Sequence, residues 1–331
     1  MNEAAGIFGF QASAAGVLPR AVFSRKISPN LHRETRMDVI PLGPGFAAEV
    51  RDVILADVAN DDAAYRAVRA AFEAHSVLVF RDQDVTDESQ IAFSRRFGPL
   101  EVTPAATQGA GTHLVILSTI GPDGKVVAAD SRTALRNKAN QLWHADSTFK
   151  SVPALASVLS ARIIPSHGGE TEYVSTRLAF DRLDAATQQR IACLFAWHDY
   201  AYSRGQIAPN IVAAEERAAL PPQCWRMVWT NPANGARALY IASHAYAIEG
   251  MEHSAAQMLI AELTVAATAP DLSYTHAWRQ GDVVMWDNRA TLHRGRPWPP
   301  NEARLIVRTT ISATDADGLQ SVRPPARQAA E

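Results

Sequence analysis

Only two cysteines, Cys193 and Cys224, occur in 331 residues, and they form no Cys-x-x-Cys pattern. That argues against a disulfide framework or a cysteine zinc cluster, and both read as reduced thiols in a reducing cytoplasm. Positive charge is not in excess either: 32 Lys and Arg stand against 34 Asp and Glu, for a formal charge of −2. No basic surface for nucleic acid is therefore expected. No apolar run reaches the ~18 residues that a membrane helix needs. The stretch Ala4 to Leu18 is broken by Gln11 and Ser13 and follows Glu3, where a secretion signal would be basic. A Gly-rich dinucleotide fingerprint and an internal repeat are also missing.

What the chain does have is 47% apolar residues, enough to bury a sizeable core in one large domain. Residues 1–36 carry Gly, Ala, Pro and a short basic stretch at Arg25-Lys26, and are read as a mobile N-terminal extension. The main domain is expected over 37–316, with a C-terminal tail over 317–331. Asn60 or Asp61 can cap a helix carrying Tyr65, Val68 and Phe72, and Thr86 opens a second. Ser254 to Gln257 has the form of a capping-box start for a third. Strands are expected over 76–80, 153–164, 170–175, 224–230, 237–242, 281–286 and 304–313. Their spacing suits a mainly β fold with flanking helices, a double-sheet jelly roll, better than a parallel βαβ fold. The segment 101–141 reads as a loop covering an open side of the barrel.

His144-Ala145-Asp146, answered by His293 and then by Arg304 and Arg308, is the pattern with chemistry in it. Among ten histidines about one His-x-Asp/Glu arises by chance, so the weight falls on its setting. On an extended strand His144 and Asp146 face one way, and with His293 they supply the 2-His-1-carboxylate set that holds iron(II) and leaves positions open for substrate and oxygen. Arg304, Ile306 and Arg308 likewise share a face, so two guanidiniums line one cavity at different depths. Two other classes use parts of this set. A zinc hydrolase needs two histidines and a carboxylate, and a degenerate jelly roll can be a non-catalytic carboxylate-binding module.

Trp143, Phe149, Met285 and Trp286 read first as packing residues. His198, His244, His253 and His276 read as surface or hydrogen-bonded histidines, and Asp287 and Asn288 as turn formers before His293.

The segments Asn140-Gln141-Leu142-Trp143-His144-Ala145-Asp146-Ser147, Gly168-Gly169-Glu170-Thr171-Glu172 and Met285 to Gly295 carry a resemblance. So do Ser76 to Arg81 and Ile91 to Glu101. Together, over about residues 38–315, they resemble the taurine/2,4-dichlorophenoxyacetate family of Fe(II)/2-oxoglutarate-dependent dioxygenases, and within it the aryloxyalkanoate branch.

The resemblance implies a double-stranded β-helix, with iron(II) held by His144, Asp146 and His293. It implies 2-oxoglutarate bound by Arg304, eleven residues after His293, and by Thr171, twenty-seven after His144. With O2 as the second co-substrate, the implied reaction is hydroxylation of a small anionic substrate. An aryloxyalkanoate hydroxylated beside its ether oxygen collapses to a phenol and an oxo acid. Presence of Asp146 favours hydroxylation over halogenation, since related halogenases lack that carboxylate. The substrate residues implied are Arg308, Asn140, Thr103 and Lys125. Thr103 stands where the taurine branch has a histidine, and Lys125 resembles a second lysine of the aryloxyalkanoate branch. An alkylsulfonate, a sulfate ester or another small carboxylate is the alternative substrate. No nucleic acid or membrane partner is expected, and oligomers are common in the family, which leaves a homo-oligomer open.

Overall fold

The computed structural model describes residues 37–325 apart from 105–107, 122, 129–130, 132–133 and 136–137. The extension expected over 1–36 and the end of the expected tail, 326–331, lie outside the described residues. In chain order the strands are β1 (Asp38–Pro41), β2 (Ala48–Arg51), β3 (Val77–Phe80), β4 (Val115–Ser118), β5 (Ala154–Ile163), β6 (Thr171–Ser175), β7 (Phe195–His198) and β8 (Gln223–Arg226). They continue with β9 (Val228–Thr230), β10 (Arg237–Leu239), β11 (Ala245–Ile248), β12 (Ser273–His276), β13 (Val283–Asp287), β14 (Thr291–Gly295) and β15 (Leu305–Ser312). A seven-stranded sheet runs β1-β2-β3-β13-β5-β15-β4 and a three-stranded sheet runs β12-β6-β14, with two smaller sheets, β11-β7-β8 and β10-β9. Every pairing except the parallel β2–β3 is antiparallel among the described residues.

Side-chain alternation decides what each face of the large sheet does. Leu78, Phe80, Val158, Val283, Met285 and Ile311 join one apolar cluster with Val68 and Phe72 of the helix Asp62–His75 and Phe93 of the helix Asp87–Arg95. Their alternates Val77, Val79, Leu159, Val284, Trp286 and Ile306 join a second cluster with Tyr173 of β6. The sheet is thus buried on both faces, by helices on one side and by the small sheet on the other. Each fully buried apolar side chain of this size contributes about 1.5–3 kcal/mol. The site opens on the second face.

Asp61 caps the helix Asp62–His75, its carboxylate accepting from the Ala63 and Ala64 amides at 2.7 and 3.1 Å. Asp61→Ala is expected to cost about 1 kcal/mol, seen as a lower urea midpoint at unchanged slope. A helical coil retained at the wild-type midpoint would assign the start of the helix to packing alone.

Several expectations need correction. The helix His253–Ala267 is capped two residues earlier than Ser254, by Glu252, which accepts from the Ala255 amide. The stretch 224–230 is two strands in different sheets, parted at Met227. The segment 101–141 holds β4, which pairs with β15. The helix Leu319–Val322 buries Leu319 and Val322, and Asp317 accepts from Arg69. No helix among the described residues is long and apolar enough to cross a membrane.

Candidate active site

His144 and His293 are joined through their backbones, His144 N–H donating to His293 O at 3.0 Å and His293 N–H to His144 O at 2.8 Å. This single bridge, rather than a regular strand, sets the two rings 4.1 Å apart at their centroids. Asp146 enters a turn two residues on, and its oxygens lie 4.0 Å from His144 Nε2 and 3.9 Å from His293 Nε2. One donor atom from each residue falls within 4.8 Å of the others, all three residues buried.

The surroundings prepare each donor. His144 Nδ1 donates to the Leu142 carbonyl at 2.7 Å, which leaves the Nε2 lone pair turned to the cluster. Burial pushes both imidazoles below the ordinary histidine range, with Asp146 opposing the shift, so each ring is neutral at physiological pH. Burial alone would raise the Asp146 carboxyl, but the Arg308 guanidinium above all, with the Ser157 hydrogen bond, holds it far below the usual carboxylate range. Ser157 Oγ donates to Asp146 Oδ2 at 2.7 Å, Arg308 Nη1 to Oδ1 at 2.7 Å, and the Asp146 amide to Asn288 Oδ1 at 2.9 Å. Two neutral imidazoles and an ionised carboxylate, converging with their lone pairs, fit a divalent metal such as iron(II).

Beside this cluster is a small cavity of about 50 Å³, lined among others by Asn140, Thr171, Trp286, His293 and Arg304. Arg304 is 8% exposed and pairs with no carboxylate among the described residues; its guanidinium lies 4.6 Å over the Trp298 ring and its Nε has no hydrogen-bond partner. Burial pulls it down to about 10, so it still carries its charge at neutral pH. A buried cation without a counter-ion is costly, and an anionic ligand removes that cost. Thr171 stands on β6 and lines the cavity, its oxygen accepting from Trp278 Nε1 at 3.0 Å. The turn before it depends on Gly168, at φ +71°, where a Cβ would lie 2.5 Å from the Pro297 carbonyl oxygen.

A larger cavity of about 760 Å³ meets the same cluster and shares His144, Asn140 and Arg308 with the small one. Buried polar atoms without hydrogen-bond partners gather at residues lining it: Thr103 Oγ1, His244 Nε2, Arg308 Nε and Thr310 Oγ1. Of the residues expected in the site, His144, Asp146, His293, Thr171, Arg304, Arg308, Asn140 and Thr103 all line one cavity or the other. Lys125 does not. It is exposed in the turn closed by the Ile120–Val126 bridge, where its amide donates to Asp123.

Sequence reasoning missed Ser157, 11 residues beyond Asp146, and underrated Asn288, which positions Asp146 as well as its own turn. Three of the histidines read as ordinary are fully buried, His198, His244 and His276. His276 pairs with Asp282 at 3.1 Å, while His198 has no partner for either nitrogen and lies well down at about 3 through burial.

Comparison with known proteins gives a consistent set of relatives. The family described as "Taurine catabolism dioxygenase TauD, TfdA family" matches residues 38–310. An alpha-ketoglutarate-dependent 2,4-dichlorophenoxyacetate dioxygenase of Cupriavidus pinatubonensis is 39% identical over 275 residues, covering 82% of this chain and 96% of that one. An (S)-phenoxypropionate/alpha-ketoglutarate-dioxygenase of Sphingobium herbicidovorans is 37% identical over 287 residues, covering 84% and 96%. The crystal structure of AAD-2 in complex with Mn(II) and N-oxalylglycine superposes with a TM-score of 0.78 at 38% identity, covering 84% of this chain and 97% of that one.

Proposed function

The chain belongs to the TauD/TfdA family of 2-oxoglutarate-dependent dioxygenases, and on that premise we propose that it hydroxylates a small aryloxyalkanoate-type carboxylate and thereby cleaves its ether bond. The observation that carries this reading is the meeting of two cavities at His144, Asp146 and His293, each cavity provided with a guanidinium. We further assign the catalytic unit to residues 37–316 and the seven- and three-stranded sheets to the two halves of a double-stranded β-helix.

In this assignment His144 Nε2, His293 Nε2 and Asp146 hold iron(II), with Ser157 and Asn288 fixing the carboxylate. When bound, iron supplies oxygen chemistry in which 2-oxoglutarate and O2 yield succinate and CO2 while a substrate C–H becomes C–OH. Arg304 grips the distal carboxylate of 2-oxoglutarate through a planar fork, and Thr171 adds a hydroxyl donor. Arg308 spends one Nη on Asp146 and keeps its buried Nε for the substrate carboxylate, with Thr103 and Thr310 as further donors. That places the carbon between carboxylate and ether oxygen nearest the metal ligands. Once hydroxylated, this carbon is a hemiacetal, whose C–O bond to the aryl oxygen breaks to give a phenol and an oxo acid.

Succinate release that requires both iron(II) and an aryloxyalkanoate tests the reading; release with alkylsulfonates or sulfate esters and none with aryloxyalkanoates overturns it. Arg308→Ala is expected to raise the substrate KM at least about tenfold, a charge-assisted contact of about 1.5–3 kcal/mol, with little change in the KM for 2-oxoglutarate. A raised iron requirement at unchanged substrate KM would give Arg308 to Asp146 alone.

A further inference from the structure

We propose that Arg204 is a specificity residue which reads a second acidic group on the substrate, at the end remote from the reacting carbon; the inference rests on the aryloxyalkanoate reading of the same cavity. Five planar side chains run in sequence along the wall of the large cavity. His144 meets His244 edge-on at 6.4 Å between centroids, and His244 packs on Phe149 at 4.8 Å. Phe149 packs on Tyr200 at 4.8 Å, and the Arg204 guanidinium lies 4.7 Å over the Tyr200 ring. This row begins at a metal ligand and ends at a cation. An aryl group lying along it has its ether end at the metal ligands and its opposite edge toward Arg204.

The other cations lining this cavity are already engaged. Arg308 donates to Asp146 and Lys150 pairs with Glu101. Arg204 pairs with no carboxylate among the described residues; beyond the Tyr200 ring, its Nη1 donates to the Ser203 hydroxyl at 3.3 Å. The guanidinium packs over the Tyr200 ring, and most of its N–H donors are left for a ligand. Its stem is fixed by the short helix Tyr200–Gly205, which Asp199 caps by accepting from the Ala201 amide at 2.7 Å. The charge is felt across the row, since after burial it is among the influences that lower both His144 and His244. A fixed, unpaired guanidinium facing an aromatic-walled cavity is suited to a planar anion such as a ring carboxylate.

The test compares phenoxyacetate with 4-carboxyphenoxyacetate by calorimetric titration of the protein loaded with iron(II) and 2-oxoglutarate, in the absence of oxygen. Wild type is expected to bind the dicarboxylate roughly tenfold to a hundredfold more tightly, the effect of one charge-assisted contact. In Arg204→Gln the ratio is expected to fall to within about threefold, the scale of an exposed charge pair, and Arg204→Lys is expected to keep part of it. No preference in wild type, no binding of either ligand, or a preference that survives Arg204→Gln would each overturn the proposal. Succinate release reports separately on the reaction: a preference that collapses on substitution, with no release from either ligand, would leave Arg204 in its role and remove the aryloxyalkanoate reading.

Discussion

Replacing His144 or His293 by alanine is expected to lower 2-oxoglutarate turnover by at least about a thousandfold, a loss of about 4 kcal/mol of transition-state stabilisation, while the protein stays folded. The two halves of that expectation have separate causes. In the proposed assignment catalysis depends on the imidazole Nε2 atoms, which lie beside Asp146. The fold at this point depends on the reciprocal backbone bond between the two residues, which alanine keeps. Metal content measured on the purified variants should fall with turnover, and the circular dichroism and unfolding midpoint should stay near those of wild type. A variant lacking either histidine that kept wild-type turnover would sink the ligand assignment.

Arg304→Ala is expected to raise the KM for 2-oxoglutarate by about a hundredfold, because the bidentate, charge-assisted contact proposed for Arg304 is lost and no other guanidinium takes its place. Arg304→Lys should recover little of it, since an ammonium cannot reproduce the planar fork. The substrate KM should move much less, the reverse of Arg308→Ala. A second readout is thermal. Wild type should gain stability with added 2-oxoglutarate, as any ligand of the native state confers, and Arg304→Met should lose that gain. Without ligand the methionine variant should match or exceed wild type, because a buried, unpaired guanidinium stacked on Trp298 is replaced by an apolar chain. Equal effects of both arginine substitutions on both co-substrates would refute their division of roles.

How far the sequence reached follows from the range of the interactions. His144 and Asp146 are two apart and announce themselves by spacing, and the alternation of the extended run from Arg304 into β15 puts Arg304 and Arg308 on one side. The main strands β3, β5, β6, β13 and β15 were legible because they are apolar runs bounded by turn residues. Short strands such as β4, β7 and β14 owe their state to partners far away in the chain and carry little local signal. The same distance hid Asn288, whose contact with Asp146 spans 142 residues. Lys125 resembles a lysine of the aryloxyalkanoate branch, but it stands exposed in the hydrogen-bonded turn at Asp123. Nothing local links His244, which reads as an ordinary histidine, to Arg204; only the row of rings between them does.

Arg304, just before β15, and Ile306, Arg308 and Thr310 along it make this edge of the site a ruler as much as a wall. Exchanging a side chain at one mark alters a single contact, so the anion preference of either cavity is open to revision by point substitution. Adding or removing one residue between Arg304 and Thr310 would instead rotate the displaced marks to the opposite face, burying a guanidinium against the helices and presenting apolar side chains to both co-substrates. Divergence of this enzyme toward new acids, in nature or in the laboratory, is thereby channelled into changes of residue at fixed length along β15, with insertions confined to the loops at its ends.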